Sequence, residues 1–576
     1  MARTAQGAYQ DLHQTLAQAG EQAQALPPHF APQHLAGDLV QSVDWTAVAP
    51  PVIAAVTGLV VLVADLFLPD RRKPLLGWTA VLGLALAALS LLPLTGAERR
   101  TFCLTAEAAT CGYVADGFTL AIQLLVLGGA LLTALPSVDS VPDLRLPAGE
   151  YWFLLLSSAA GAALLPAARD LVTLVVALEI VSLPAFALVG LRRGERLSAE
   201  AALKFFLSSV TATAVTLLGT SFVYAVTGSM HFSAVAHGLA HPPPGLSTLA
   251  ATGVVLTLVG FAFKVAVVPF HFWVPDTYVG APLPVAGYLS VVGKAAGFSG
   301  LILLTVLAFP SRAATWGPLL AALAALTMTV GNVAALRQRP ESAQSAVRLL
   351  AWSSIGQAGY LLVPIAAAGY GGDPLRAVGS TVAYALMYAA VNLGAFAVVA
   401  LVGRSGGGHR IADHRGMAAH RLPAALALGF FLLCLAGLPP GVIGLFAKVT
   451  VFRVALDAGL GWLAVVMAVN VVIALYYYLQ WTAVLFRAPA TSLPTPYPGS
   501  GGPDRTAGGG TGAESPDLAA DRPVAVAPPE AAGTPATGGP AAPRATAVAI
   551  ALAAGIGLAL SGAPQLVLRF AATALF

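Results

Sequence analysis

Residues 264–294 read KVAVVPFHFWVPDTYVGAPLPVAGYLSVVGK. The stretch joins two long apolar windows and places a lysine in each, Lys264 and Lys294. Pro269 cannot donate to the carbonyl of Val265, so a helix carrying Lys264 must break just beyond it. A carbonyl freed at membrane depth needs protein or water as a partner, which predicts a broken helix beside a hydrated cavity. A second break is predicted in LCLAGLPPGVIGLFAKVTVF, where Pro439 and Pro440 interrupt the helix before Lys448.

The rest of the chain sets these breaks in a membrane. Of 576 residues, 57% are hydrophobic and only 10% charged, against about 25% charged in soluble domains. A net charge of +4 is spread thinly over short loops. That composition excludes a cytosolic enzyme and a nucleic-acid binder, and three cysteines exclude a disulfide scaffold. About 20 apolar residues are needed to cross the hydrocarbon core. Fourteen windows qualify, near 51–68, 75–94, 116–135, 150–166, 170–190, 203–227, 248–271, 283–309, 316–336, 347–368, 376–402, 422–448, 459–486 and 545–568. They are apolar all round, so they are helices and not barrel strands.

The predicted fold is an all-α polytopic membrane protein of about fourteen transmembrane helices. A polar N-terminal extension, 1–47, includes a candidate surface helix at 8–25 and lacks the pattern of a signal peptide. Helices one to thirteen occupy 48–487. A Pro/Gly-rich loop, 488–543, is expected to be disordered. The last helix lies in 544–576. If windows four to eight and nine to thirteen form two groups, each broken helix, the seventh and the twelfth, is the fourth of five. Groups of odd number are inverted relative to each other, and matched discontinuous helices point to a transport path near the midplane.

An even number of crossings puts both termini on one side. With the N-terminus outside, the inner short loops carry 14 Arg and Lys residues and the outer ones 6. The bias places both termini outside a bacterial plasma membrane. Cys103 and Cys111 then lie outside as well, at a spacing that allows a disulfide.

The chain has five lysines beside 25 arginines. Lys73 is in a loop; Lys204, Lys264, Lys294 and Lys448 are inside or at the edge of apolar windows. Arginine keeps its proton at any working pH, whereas a buried lysine can release one. A proton relay needs groups that titrate. Glu179, mid-window, costs at least ~2.5 kcal/mol by insertion scales and should pair with a lysine or be protonated. Glu200 and Lys204 stand at i and i+4, with Ser198 as the expected helix cap. Glu200 and His271 are secondary candidates. Asp65 and Asp116, near window ends, read as snorkelling or capping groups. His231, His237 and His241 share one outer loop without a carboxylate or thiol, which argues against a metal site. No dinucleotide, phosphate-loop, haem or cluster motif is present.

With ALEIVSLPAFALVG, EAALKFFLSS, AWSSIGQAGY, YALMYAAVNLGAFAVV and GLFAK, the 264–294 stretch resembles the antiporter-like membrane subunits of respiratory complex I. Its HFWVPD…GAP segment favours the N-type subunit of the bacterial NADH–quinone oxidoreductase. The resemblance covers roughly 50–487. It implies a proton-pumping module that does no redox chemistry itself. FMN, the iron–sulfur clusters and the quinone site would belong to partner subunits, with no cofactor or metal on this chain. It implies as relay groups Glu179, Lys204, Lys264, Lys294 and Lys448. The partners expected are the other membrane and peripheral subunits and the lipid bilayer, with no nucleic acid. A multisubunit cation/proton antiporter and an energy-converting hydrogenase are the alternatives.

Overall fold

The computed structural model describes residues 43–103, 110–371, 373–404, 408–488, 543–572 and 576. The N-terminal surface helix and nearly all of the Pro/Gly-rich loop therefore lie outside the described residues. The described chain opens with α1 (Trp45–Phe67), capped by the Asp44 carboxylate, and α2 (Pro74–Leu89). An antiparallel hairpin follows, β1 (Arg99–Cys103) and β2 (Cys111–Ala115), closed by the Cys103–Cys111 disulfide. Next come α3 (Gly117–Asp143), α4 (Ala148–Leu164), α5 (Leu171–Val189) and α6 (Arg196–Thr227).

The helix carrying Lys264 is split, as Pro269 demands. Its first half, α7 (Ser247–Lys264), stops at the lysine, and its second half, α8 (Trp273–Gly280), restarts after it. Then follow α9 (Leu283–Ala308), α10 (Ala313–Leu336), α11 (Ser345–Ala367) and α12 (Pro374–Gly403). The second split separates α13 (Leu422–Ala436) from α14 (Val442–Asp457). The described chain closes with α15 (Gly461–Phe486), α16 (Arg544–Gly562) and α17 (Gln565–Ala572). Among the described residues, thirteen helices are individually long and apolar enough to span a membrane. The α13/α14 pair, each half shorter than a full span, covers the window expected near 422–448.

Burial is uneven. Helices α9, α11 and α12 lie almost wholly inside the bundle, whereas α1, α2 and α6 show apolar flanks. Of the buried lysines, Lys294 lies on the central α9, whereas Lys264 ends α7 and Lys448 sits on α14; the outer helices expose Leu and Val, as lipid or a partner helix requires.

Some local expectations change. Ser198 is not the cap of α6: Glu195 holds that position, and the Ser198 hydroxyl donates to Val189 O at the end of α5. The turn through Gly194, at φ +80°, brings those two helix ends together. At the first break, protein groups supply partners: Trp273 Nε1 donates to Phe263 O (3.1 Å), and Val268 N donates to Thr327 Oγ1 (3.0 Å). Asp116 caps α3 through Thr119 N and pairs with Arg169; Asp65 pairs with Lys73.

Candidate functional site

Glu179 and Ser182 lie one turn apart on α5, a helix otherwise mostly of Leu, Val and Ala. Glu179 is half-buried and accepts a hydrogen bond from Thr213 of α6 at 2.7 Å. Lys264, 2% exposed at the end of α7, donates to Ser182 Oγ at 2.9 Å. Its ammonium lies 5.7 Å from the centre of the Phe205 ring. Glu179 and Lys264 thus reach the same helix, each held by a hydroxyl, and form no ion pair with each other. Gly297 of α9 makes room for this arrangement. A Cβ there would stand 2.7 Å from Val265 Cγ1 and 3.2 Å from the Lys264 stem.

Lys294 is on α9, one turn before Gly297, and is also 2% exposed. Its ammonium donates to Ser354 O (2.6 Å) and Ser354 Oγ (3.0 Å) of α11. From there polar side chains continue along α11. Ser353 bonds the Tyr478 hydroxyl, and Gln357, one turn on, donates to Tyr478 Oη (3.4 Å) and Leu435 O (3.4 Å). Tyr384 donates to Gln357 Oε1 at 2.5 Å.

Lys448, 4% exposed on α14, shares one of these acceptors. It donates to Leu435 O (3.1 Å) and Ala436 O (2.6 Å), the last carbonyls of α13. Those carbonyls have no partner further along their own helix, so the break creates the acceptors that hold the lysine. A cavity of about 20 Å³ touches Lys448, Gln357, Tyr384 and Cys434, room for about one water.

Lys204 sits differently. Its side chain is about half exposed and pairs with Glu200 (2.7 Å) and Asp276 (2.9 Å). Asp276 also faces Arg348 at 3.8 Å. Glu200 thus joins a surface network near the N-terminal end of α6, not the buried line. His271 is half-buried against Trp352, and its Nδ1 is buried without a hydrogen-bond partner.

Ser182, Thr213, Ser353, Ser354, Gln357, Tyr384, Tyr478, Asp276 and Arg348 are not marked as site residues by residue type alone. A usable signal existed for three of them: Ser353, Ser354 and Gln357 interrupt an apolar window in AWSSIGQAGY.

The family model for NADH:quinone oxidoreductase/Mrp antiporter transmembrane proteins matches residues 168–474, which hold all five candidate relay groups. The chain belongs to this family. Within it, NADH-quinone oxidoreductase subunit N 2 of Streptomyces griseus is 66% identical over 541 residues, 94% of this chain and 96% of that relative. NADH-quinone oxidoreductase subunit N of Salinispora tropica is 47% identical over 458 residues, 78% of this chain and 86% of that relative. A chain of respiratory complex I from Thermus thermophilus superposes with a TM-score of 0.66 at 31% identity, covering 90% of this chain and 98% of that one. Both expected helix breaks are present, and Lys264, Lys294 and Lys448 are buried, whereas Lys204 is half exposed.

Proposed function

We propose that the chain is the proton-translocating N-type membrane subunit of an NADH–quinone oxidoreductase. The observation that carries this reading is the row Lys264, Lys294 and Lys448. Each is nearly inaccessible, and each is held by neutral oxygen acceptors: Ser182, Ser354 and the α13 carbonyls. A buried ion pair would lock a lysine in its charged form; a hydroxyl or carbonyl partner does not. Lysine can pass its proton on, and arginine cannot.

In the mechanism, Glu179 and Lys264 form a switchable pair. With the pair open, Glu179 rests on Thr213 and Lys264 on Ser182. Closing it moves the ammonium about one helical turn along α5 and holds the charge in place. Opening releases a proton toward Lys294, which hands it through Ser354 and the Gln357–Tyr478 groups to Lys448. Lys204, with Glu200 and Asp276, sits at the inner entrance. This chain makes and breaks no substrate bonds. FMN, iron–sulfur clusters and the quinone site belong to the partner subunits, which supply the driving force. Fourteen crossings and the basic inner loops support both termini outside the plasma membrane.

The test is co-purification. An affinity tag on this chain should bring with it NADH–quinone reductase activity, flavin absorbance and iron–sulfur signals. A tagged chain purified from mild detergent with none of these would contradict the proposal.

A further inference from the structure

The helix that carries Lys448 cannot cap itself. Its first turn leaves N–H groups without intrahelical acceptors, and the cap position is Gly441, which has no side chain to offer. The glycine is compelled by the close approach of the two half-helices. A Cβ on Gly441 would stand 2.5 Å from Cys434 Sγ, and one on Gly444 would land on Cys434 O. The usual Ser, Thr, Asp or Asn is therefore excluded where the helix needs it.

The missing oxygen comes from α16. Ile443 N donates to Ser561 Oγ at 3.3 Å. The Ser561 hydroxyl hydrogen is already committed to Gly557 O (2.7 Å), so a lone pair faces the break. On the same helix, Gly557 meets the other half: a Cβ there would lie 2.8 Å from Phe430 Cε1 of α13. The far end of α16 is fixed as well. Its cap residue, Pro543, provides no side-chain acceptor, and Asp139 of α3 accepts from Thr546 N (2.8 Å) and Thr546 Oγ1 (2.7 Å). One helix thus grips both halves of the break and is itself anchored to α3.

The register between those halves decides where Lys448 points. Its backbone belongs to α14, while both acceptors of its ammonium, Leu435 O and Ala436 O, belong to α13. We infer that Ser561 is a positioning residue for Lys448: its hydroxyl sets the start of α14 against α13 and so keeps the ammonium on the α13 carbonyls. The inference rests on the reading of Lys448 as a relay group.

The experiment compares Ser561→Ala, Ser561→Thr and Lys448→Met in the assembled complex, in inverted membrane vesicles. Proton uptake and uncoupled NADH oxidation are measured on the same preparation. Ser561→Ala should assemble and oxidise NADH at the wild-type uncoupled rate. Its proton uptake per NADH should fall roughly threefold, the effect of one neutral hydrogen bond. Ser561→Thr, which keeps the hydroxyl, should restore it. The inference is overturned if Ser561→Ala pumps normally, if it fails to assemble, or if threonine does not rescue. Normal pumping by Lys448→Met would overturn the relay reading itself. An inactive Lys448→Met beside a normal Ser561→Ala would overturn the positioning role alone.

Discussion

Replacing Lys294 by methionine separates the relay from the scaffold, because the opposing energies nearly cancel. The substitution removes two hydrogen bonds from the ammonium to Ser354, at 2.6 and 3.0 Å. Bonds of a charged donor contribute about 1.5–3 kcal/mol each. It also removes a charge from a site 2% exposed, where an ion without a counter-ion costs several kcal/mol to desolvate. Methionine fills nearly the same volume with a flexible chain. No acceptor is stranded in a way that matters: the Ser354 hydroxyl keeps its bond to Ala351 O at 2.8 Å. The net change in stability should lie within about 2 kcal/mol. The variant should therefore assemble at near wild-type abundance, read on native gels and by uncoupled NADH oxidation. Its proton uptake in inverted vesicles should fall about a hundredfold or more, since a positioned acid–base group contributes ~10²–10⁴-fold. A Lys294→Met complex that assembles and pumps normally would refute the relay assignment. One that does not assemble would show that the lysine is chiefly a structural tie.

Three further outcomes are expected. Thr213→Val removes the 2.7 Å hydrogen bond that holds Glu179; proton uptake should fall several-fold, and Thr213→Ser should restore it if the hydroxyl is what matters. His414, in the connection between α12 and α13, is pushed down to about 4 by burial, although its bond to Arg410 O opposes the shift. Above its ordinary value of 6.5 both folded and unfolded states are neutral. Below it the unfolded state binds a proton first, so up to about 3 kcal/mol of stability is lost as pH falls from 6.5 toward 4. The thermal midpoint of a His414→Asn complex should lose most of that pH dependence, and an unchanged slope would clear the histidine. Cys103 and Cys111 form a disulfide in the hairpin before α3; an impermeant thiol reagent should label them from outside intact cells, and only after reduction. Labelling confined to inverted vesicles would reverse the orientation of every loop.

The crossings were legible because segments that are apolar all round can cross a bilayer only as helices, and the breaks because Pro269, Pro439 and Pro440 cannot donate. The lysines stood out because charge inside an apolar window is costly. Their partners did not. Ser182 is 82 residues from Lys264, and Ser354 is 60 from Lys294; serine is common enough in membrane helices that nothing marks these two before the helices are packed. Position along the chain puts Lys204 inside or at the edge of an apolar window. Counting gives height but not azimuth, and the side chain turns to the surface to meet Glu200 and Asp276. Ser198 looked like a cap because it precedes an apolar run, yet the chain turns three residues earlier and uses its hydroxyl to tie α5 to α6. The capping of α14 by Ser561 crosses 118 residues and no local pattern announces it.

As a relay group, Lys264 must exchange a proton and not merely carry a charge. Lys264→Arg in the assembled complex, with NADH-driven proton uptake followed in inverted vesicles beside Lys264→Ala, tests it most directly. Arginine keeps the positive charge beside Ser182 and Glu179 but holds its proton at any working pH. Both variants should lose proton uptake while uncoupled NADH oxidation persists. Normal uptake by an assembled Lys264→Arg complex would contradict the relay role and leave Lys264 as a structural cation.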